Sequence, residues 1–117
     1  WVAVGTGTDN TIAYSSDGIN WTGAGKTIFS TSGYGVAYNP DVSMWVAVGQ
    51  GTNTIATSLD GITWTGIGKT IFSTRGLNVA YSSQQNRWVA VGVGTNAIAY
   101  SSDGCSISEG GNNQTNK

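Results

Sequence analysis

The chain has 117 residues, a net charge of −1 from five Lys and Arg against six Asp and Glu, and only 9% charged residues. So little basic charge argues against a nucleic-acid partner, and the absence of His excludes a Ser-His-Asp triad and imidazole metal ligation. Five Trp and five Tyr at this low net charge describe a folded chain rather than a disordered one, and the longest apolar run, about five residues, is far short of the roughly 20 that cross a bilayer as a helix.

The first five residues, Trp1-Val2-Ala3-Val4-Gly5, form a β-rich run that returns as Trp45-Val46-Ala47-Val48-Gly49 and again as Trp88-Val89-Ala90-Val91-Gly92. A second marker keeps the same step: Ser15, Asp17 and Gly18 recur as Ser58, Asp60 and Gly61 and as Ser101, Asp103 and Gly104. A period of about 40–45 residues built from short strands signals a propeller blade or a related β array.

One full period, beginning in the first repeat, reads as four strands. Residues 34–38 alternate and lead through a turn at 39–44, where the fixed φ of Pro40 is harmless, into the strand at 45–49. After the turn at 50–53, residues 54–58 form a third strand. Asp60-Gly61 makes a tight hairpin, residues 62–65 form the fourth strand, and 66–76 connect to the next unit. The following repeat begins in the same way, with a strand at 77–81, a turn at 82–87 and a strand at 88–92. No window carries helical periodicity. The nearly continuous apolar run of Trp-Val-Ala-Val suits a strand buried on both faces. The predicted fold is all-β, made of four-stranded antiparallel propeller blades, about 2.5 per chain. Residues 1–33 make a partial blade, 34–76 a full blade and 77–108 a second partial one, with a weak last strand at 105–108. Residues 109–117, rich in Gly and Asn, read as a flexible tail.

Ser15-x-Asp17-Gly18-x-x-Trp21 and Ser58-x-Asp60-Gly61-x-x-Trp64 resemble the Asp-box, or BNR repeat, in a shortened form: the family pattern is close to S-x-D-x-G-x-T-W, and here Gly follows Asp directly. Ser101-x-Asp103-Gly104 keeps the front half, and Ile107 stands in the place of the Trp. The resemblance covers residues 1–108 and implies a propeller. It does not single out an activity, because Asp-boxes occur in sialidases, sortilin-like receptors, lectins and photosystem assembly factors. The shortened form also looks like repeats in phage, viral and bacterial propellers, which points to an extracellular, virion or cell-surface setting. Independently of the family, Ser and Asp side chains accept hydrogen bonds from turn amides, Gly supplies the positive φ, and Trp covers the hairpin.

Catalysis finds no support. Sialidases that resemble this repeat use an arginine triad with a Tyr–Glu pair, and this chain has two arginines, Arg75 and Arg87, and one Glu, Glu109. Asp9, Asp17, Asp41, Asp60 and Asp103 are turn residues at blade spacing, a poor arrangement for paired carboxylates or for the six or more oxygens that calcium gathers at one point. Lone Cys105 has no His to activate it. Gly23-Ala24-Gly25-Lys26-Thr27 and Gly66-Ile67-Gly68-Lys69-Thr70 fall short of a phosphate loop, since Asn20 and Thr63 stand where the first Gly belongs. No enzyme, metal or cofactor is expected.

A binding site would lie where loops emerge from a rigid scaffold. The turns after the Trp-Val-Ala-Val-Gly strands and the connectors between blades share one end, with a polar rim of Asp9, Asn10, Gln50, Asn53, Asn96, Lys26, Lys69 and Arg75. A site repeated on each blade gives avidity toward a multivalent glycan. Closed propellers have roughly four to eight blades, so the expected partner is the chain itself in a homo-oligomer, or the remainder of a longer propeller. The leading expectation is a non-catalytic structural or recognition scaffold. A lectin-like module using the rim and a fragment of a larger propeller glycosidase are the alternatives.

Overall fold

The computed structural model describes residues 1–101 and Gly104. Asp103, the strand expected at 105–108 and the tail expected at 109–117 lie outside the described residues. Ten strands occur in order: β1 (Val2–Val4), β2 (Ile12–Tyr14), β3 (Thr22–Gly23), β4 (Ser32–Asn39), β5 (Met44–Gln50), β6 (Ile55–Ser58), β7 (Thr65–Gly68), β8 (Arg75–Ser82), β9 (Arg87–Val93) and β10 (Ile98–Tyr100). They form three antiparallel sheets: β1-β2-β3, the four-stranded β4-β5-β6-β7, and β8-β9-β10. The protein is all-β, and no sheet among the described residues closes on itself.

The period of the sequence becomes the period of the sheets: the Trp-Val-Ala-Val runs in β5 and β9 are the second strands of their sheets, and the run in β1 is the edge strand of the first sheet. β5 pairs with β4 from Asn39↔Met44 to Ser32↔Gln50 and with β6 from Trp45↔Ser58 to Val48↔Ile55. β9 repeats this register with β8 and β10. The turns at 39–44 and 82–87 match the expectation. Each places a non-glycine residue at positive φ, Ser43 in one and Asn86 in the other.

The fourth strand is displaced. The sequence places it at residues 62–65, but β7 runs from Thr65 to Gly68. The reason is local: the backbone N–H groups of Ile62 and Thr63 both donate to Asp60 Oδ1, at 2.8 Å each. Amides captured by the turn cannot enter a ladder, so pairing begins at Thr57↔Thr65.

The sheets stack face to face, β1 against β4 and β4 and β5 against β8. Side chains alternate across a strand, so β5 serves both junctions. Val46 and Val48 enter the core against the third sheet, with Phe72, Val79, Trp88, Ala90 and Ala99. Ala47 enters the core against the first sheet, with Ile12, Phe29, Ala56, Val2 and Val4. Each junction thus sets a valine face against an alanine face, and Gly33 and Gly76 allow the closest approach. A Cβ on either would come within 2.5 Å of Cβ of Val4 or Val48 respectively. The Gly33 N–H donates to the Gly5 carbonyl across the first junction at 2.8 Å. Buried threonines tie the connectors down: Thr11 Oγ1 donates to the Phe29 carbonyl at 2.8 Å, and Thr54 Oγ1 to the Phe72 carbonyl at 2.7 Å.

Candidate functional site

The two ends of the stack differ in chemistry. At the rim end the amides expected to face ligand are engaged by the fold. Asn10 Oδ1 accepts the Gly25 N–H at 2.8 Å, and Asn53 Oδ1 accepts the Gly68 N–H at 3.0 Å. Asn53 Nδ2 donates to the Ile28 carbonyl and Asn96 Nδ2 to the Ile71 carbonyl, which pins each connector to the turn of the next repeat. Gln50 Oε1 accepts the Tyr34 hydroxyl at 3.1 Å. Asp9 and Lys69 are exposed, and Lys26 and Arg75 are half-buried. Of the eight predicted rim residues, these four charged ones have no side-chain hydrogen bond among the described residues.

At the other end the Ser-x-Asp-Gly turns are hydrogen-bonded knots. Ser15 Oγ accepts the Gly18 N–H at 2.8 Å and donates to Asp17 Oδ1 at 3.0 Å. Asp17 Oδ1 accepts the N–H groups of Ile19 and Asn20, 2.8 Å each. Gly18 and Gly61 turn the chain at φ +79° and +78°, a region that disfavours any side chain. Trp21 Nε1 donates to the Gly18 carbonyl and Trp64 Nε1 to the Gly61 carbonyl, both at 3.3 Å. Ser58, Asp60 and Gly61 reproduce the knot. In the third repeat Ser101 and Gly104 are buried, with Ser101 Oγ accepting the Trp88 N–H and the Gly104 carbonyl accepting Trp88 Nε1 and Asn39 Nδ2.

These hydrogen bonds stabilise the ionised carboxylates. The backbone N–H of Asn20, then that of Ile19 and the Asn20 side chain, hold Asp17 far below the usual aspartate range. The backbone N–H groups of Thr63 and Ile62 lower Asp60 in the same sense. The knots differ at one atom. Asp17 Oδ2 accepts Asn20 Nδ2 at 2.9 Å. Asn20 is replaced by Thr63 in the second repeat, and Asp60 Oδ2 has no partner among the described residues.

Between the first and second sheets, at the end that carries these turns, lies a cleft of about 470 Å³ whose walls include Trp1, Tyr14, Asn20, Trp45, Asp60 and Ile62. Its repeat-related counterpart, about 340 Å³, has Thr57, Leu59, Thr63 and Thr65 in its walls. The sequence reading overlooked this cleft because its residues belong to two repeats. No three His, Cys, Asp or Glu side chains come together as a metal site among the described residues. Gly66–Gly68 lies in β7 rather than ahead of a helix.

The outer face of the third sheet is the other open surface. Val46 and Val48 are 0% exposed, whereas their repeat equivalents Val89 and Val91 are 42% and 39% exposed. At the opposite end of the stack Trp1 is 71% exposed, whereas its equivalent Trp88 is 0% exposed.

No family model, curated protein or solved structure matches the chain.

Proposed function

We propose that the chain is a non-catalytic, propeller-type repeat scaffold whose stack is continued through its two open faces by a further copy of itself. Further repeats in a longer chain would serve the same geometry. The observation that carries this reading is the exposure of Val89 and Val91 beside the burial of Val46 and Val48. The valine face that receives an alanine face twice within the chain is left open a third time. Trp1 and Ala3 occupy the repeat positions of Trp88 and Ala90, which cover the second sheet. The two surfaces are therefore complementary and belong to opposite ends, so contact between copies is head-to-tail. Head-to-tail contacts close into a ring when the rotation permits and otherwise run on. An uncovered apolar sheet face and unpaired strand edges are association surfaces by their chemistry.

Acrylamide quenching tests the reading. The emission of Trp1 is obtained as the difference between wild type and Trp1→Phe. It should be open to quencher in dilute solution and shielded as concentration rises. A Trp1 signal that stays equally quenchable across the range would sink the proposal.

A further inference from the structure

Residues 10–31 and 53–74 occupy equivalent positions in successive repeats and differ at four of them: Tyr14/Thr57, Ser16/Leu59, Asn20/Thr63 and Ala24/Ile67. Three of the four, Tyr14, Ser16 and Asn20, line the larger cleft. Ser15, Asp17, Gly18 and Trp21, the frame of the turn knot, are identical in the two copies, and Asn20, whose side chain adds one bond to it, is the knot residue that differs. Within this segment three of the four differences thus fall on one cavity wall, whereas residues 32–44 and 75–87 differ at nine of 13 positions, in β4, β8 and the turns that follow them.

The effect of those differences is chemical. The second repeat carries Thr, Leu and Thr at these positions, and the first carries an aromatic ring, a hydroxyl and a carboxamide. The opposite wall adds Trp45 and Asp60. Asn20 is held by its bond to Asp17 Oδ2, which leaves its carbonyl oxygen and second N–H for a ligand. Across the cleft, Asp60 Oδ1 is occupied by turn amides while Oδ2 has no partner among the described residues. Aromatic rings beside fixed hydrogen-bonding groups suit a ligand with one apolar face and a hydroxylated edge, which is the shape of a pyranose. The volume falls in the range of small-molecule sites, about 300–1,000 Å³, far larger than a single ammonium headgroup needs. The ionised Asp60 carboxylate disfavours an anionic sugar.

We infer that the cleft between the first and second sheets, walled by Tyr14, Asn20, Trp45 and Asp60, binds a neutral saccharide. The site is at the end that carries the Ser-x-Asp-Gly turns, opposite the polar rim, and lies within one chain. Trp1 belongs both to this cleft and to the open face of the first sheet, so binding is measured on the unassociated chain.

The test is titration of the full chain, at a concentration where it is monodisperse, with cellotriose, chitotriose and maltotriose, followed by tryptophan emission and calorimetry. At least one should bind saturably. Converting the wall to that of the second repeat, with Tyr14→Thr, Ser16→Leu and Asn20→Thr together, should weaken that binding at least tenfold. These residues already stand at the same backbone positions in the second repeat, and a urea midpoint close to that of wild type verifies that the variant folds. The exchange Thr57→Tyr with Leu59→Ser, which keeps Thr63 and so leaves the Asp60 carboxylate as it is, should leave the first cleft's binding unchanged. Absence of saturable binding by all three sugars at millimolar concentration would overturn the inference, as would equal affinity in the exchanged variant. Tighter binding of sialyllactose or of tetramethylammonium than of any neutral sugar would overturn the ligand class.

Discussion

Gly5 and Gly49 close the same Trp-Val-Ala-Val-Gly run, and the structure gives them opposite tolerances. A Cβ on Gly49 would overlap the Ser32 carbonyl oxygen and stand 2.7 Å from Cγ of Phe29, whereas a Cβ on Gly5 meets nothing within 4 Å. Neither glycine is at positive φ, so the difference is steric and not a matter of backbone strain. Phe29 is 0% exposed and fixed beneath β5, and the Ser32 oxygen belongs to the partner strand, so neither contact yields easily. Overpacking of this kind costs about 1–3 kcal/mol, occasionally more. With a backbone atom among the overlaps we expect Gly49→Ala near the upper end, about 3 kcal/mol. For a urea m-value of roughly 1.5 kcal/mol/M, the midpoint falls by about 2 M. Gly5→Ala should stay within about 0.5 kcal/mol of wild type. Urea unfolding followed by tryptophan emission and far-ultraviolet dichroism measures both. A harmless Gly49→Ala, or two variants of equal cost, would refute the stacking of the Phe29 connector under the next repeat.

Thr54→Val keeps the side-chain volume but leaves the buried Phe72 carbonyl without its 2.7 Å hydroxyl donor. The expected loss is about 1–3 kcal/mol in thermal or urea unfolding, and Thr11→Val, which unpairs the Phe29 carbonyl, should behave alike. Acid should also weaken the fold through Asp17 and Asp60. Both carboxylates are depressed below the usual 3.8 by turn amides, so their contribution is fully present above that value. It is lost as pH falls through the depressed folded-state values. Urea midpoints taken at neutral pH, pH 4 and pH 2.5 should fall more gently in Asp17→Asn than in wild type. Identical profiles would mean the knot contributes nothing to acid stability.

Much of the fold was legible because its signals are local. The alternating runs at 34–38 and 77–81, the turns at 39–44 and 82–87, and the 43-residue step all appear as strands, turns and sheets. Where the sequence misled, a side chain had taken over backbone partners. Asp60 draws in the amides of Ile62 and Thr63 and delays β7 to Thr65. Burial was legible only in part, since Val46 and Val89 sit in the same pentapeptide yet differ completely in exposure. That difference depends on whether another sheet lies against them, which no local pattern encodes. The rim amides illustrate a related limit. Asn53 looks like a ligand-facing side chain in sequence, and in space it holds the Ile28 carbonyl and the Gly68 N–H. The cleft could have been found by asking where the repeats differ instead of where they agree. Within residues 10–31, where the copies differ at four positions, Tyr14, Ser16 and Asn20 answer that question.

The central claim is that the uncovered valine face of the third sheet is met by the Trp1 end of another copy. Light scattering over a hundredfold concentration range, on wild type and on Val91→Lys, tests it most directly. The account predicts a mass that rises to a defined multiple of the 12.1 kDa chain and a Val91→Lys variant that stays monomeric with its urea midpoint preserved. A wild-type chain that remains monomeric throughout, or a Val91→Lys variant that associates as wild type does, would contradict it.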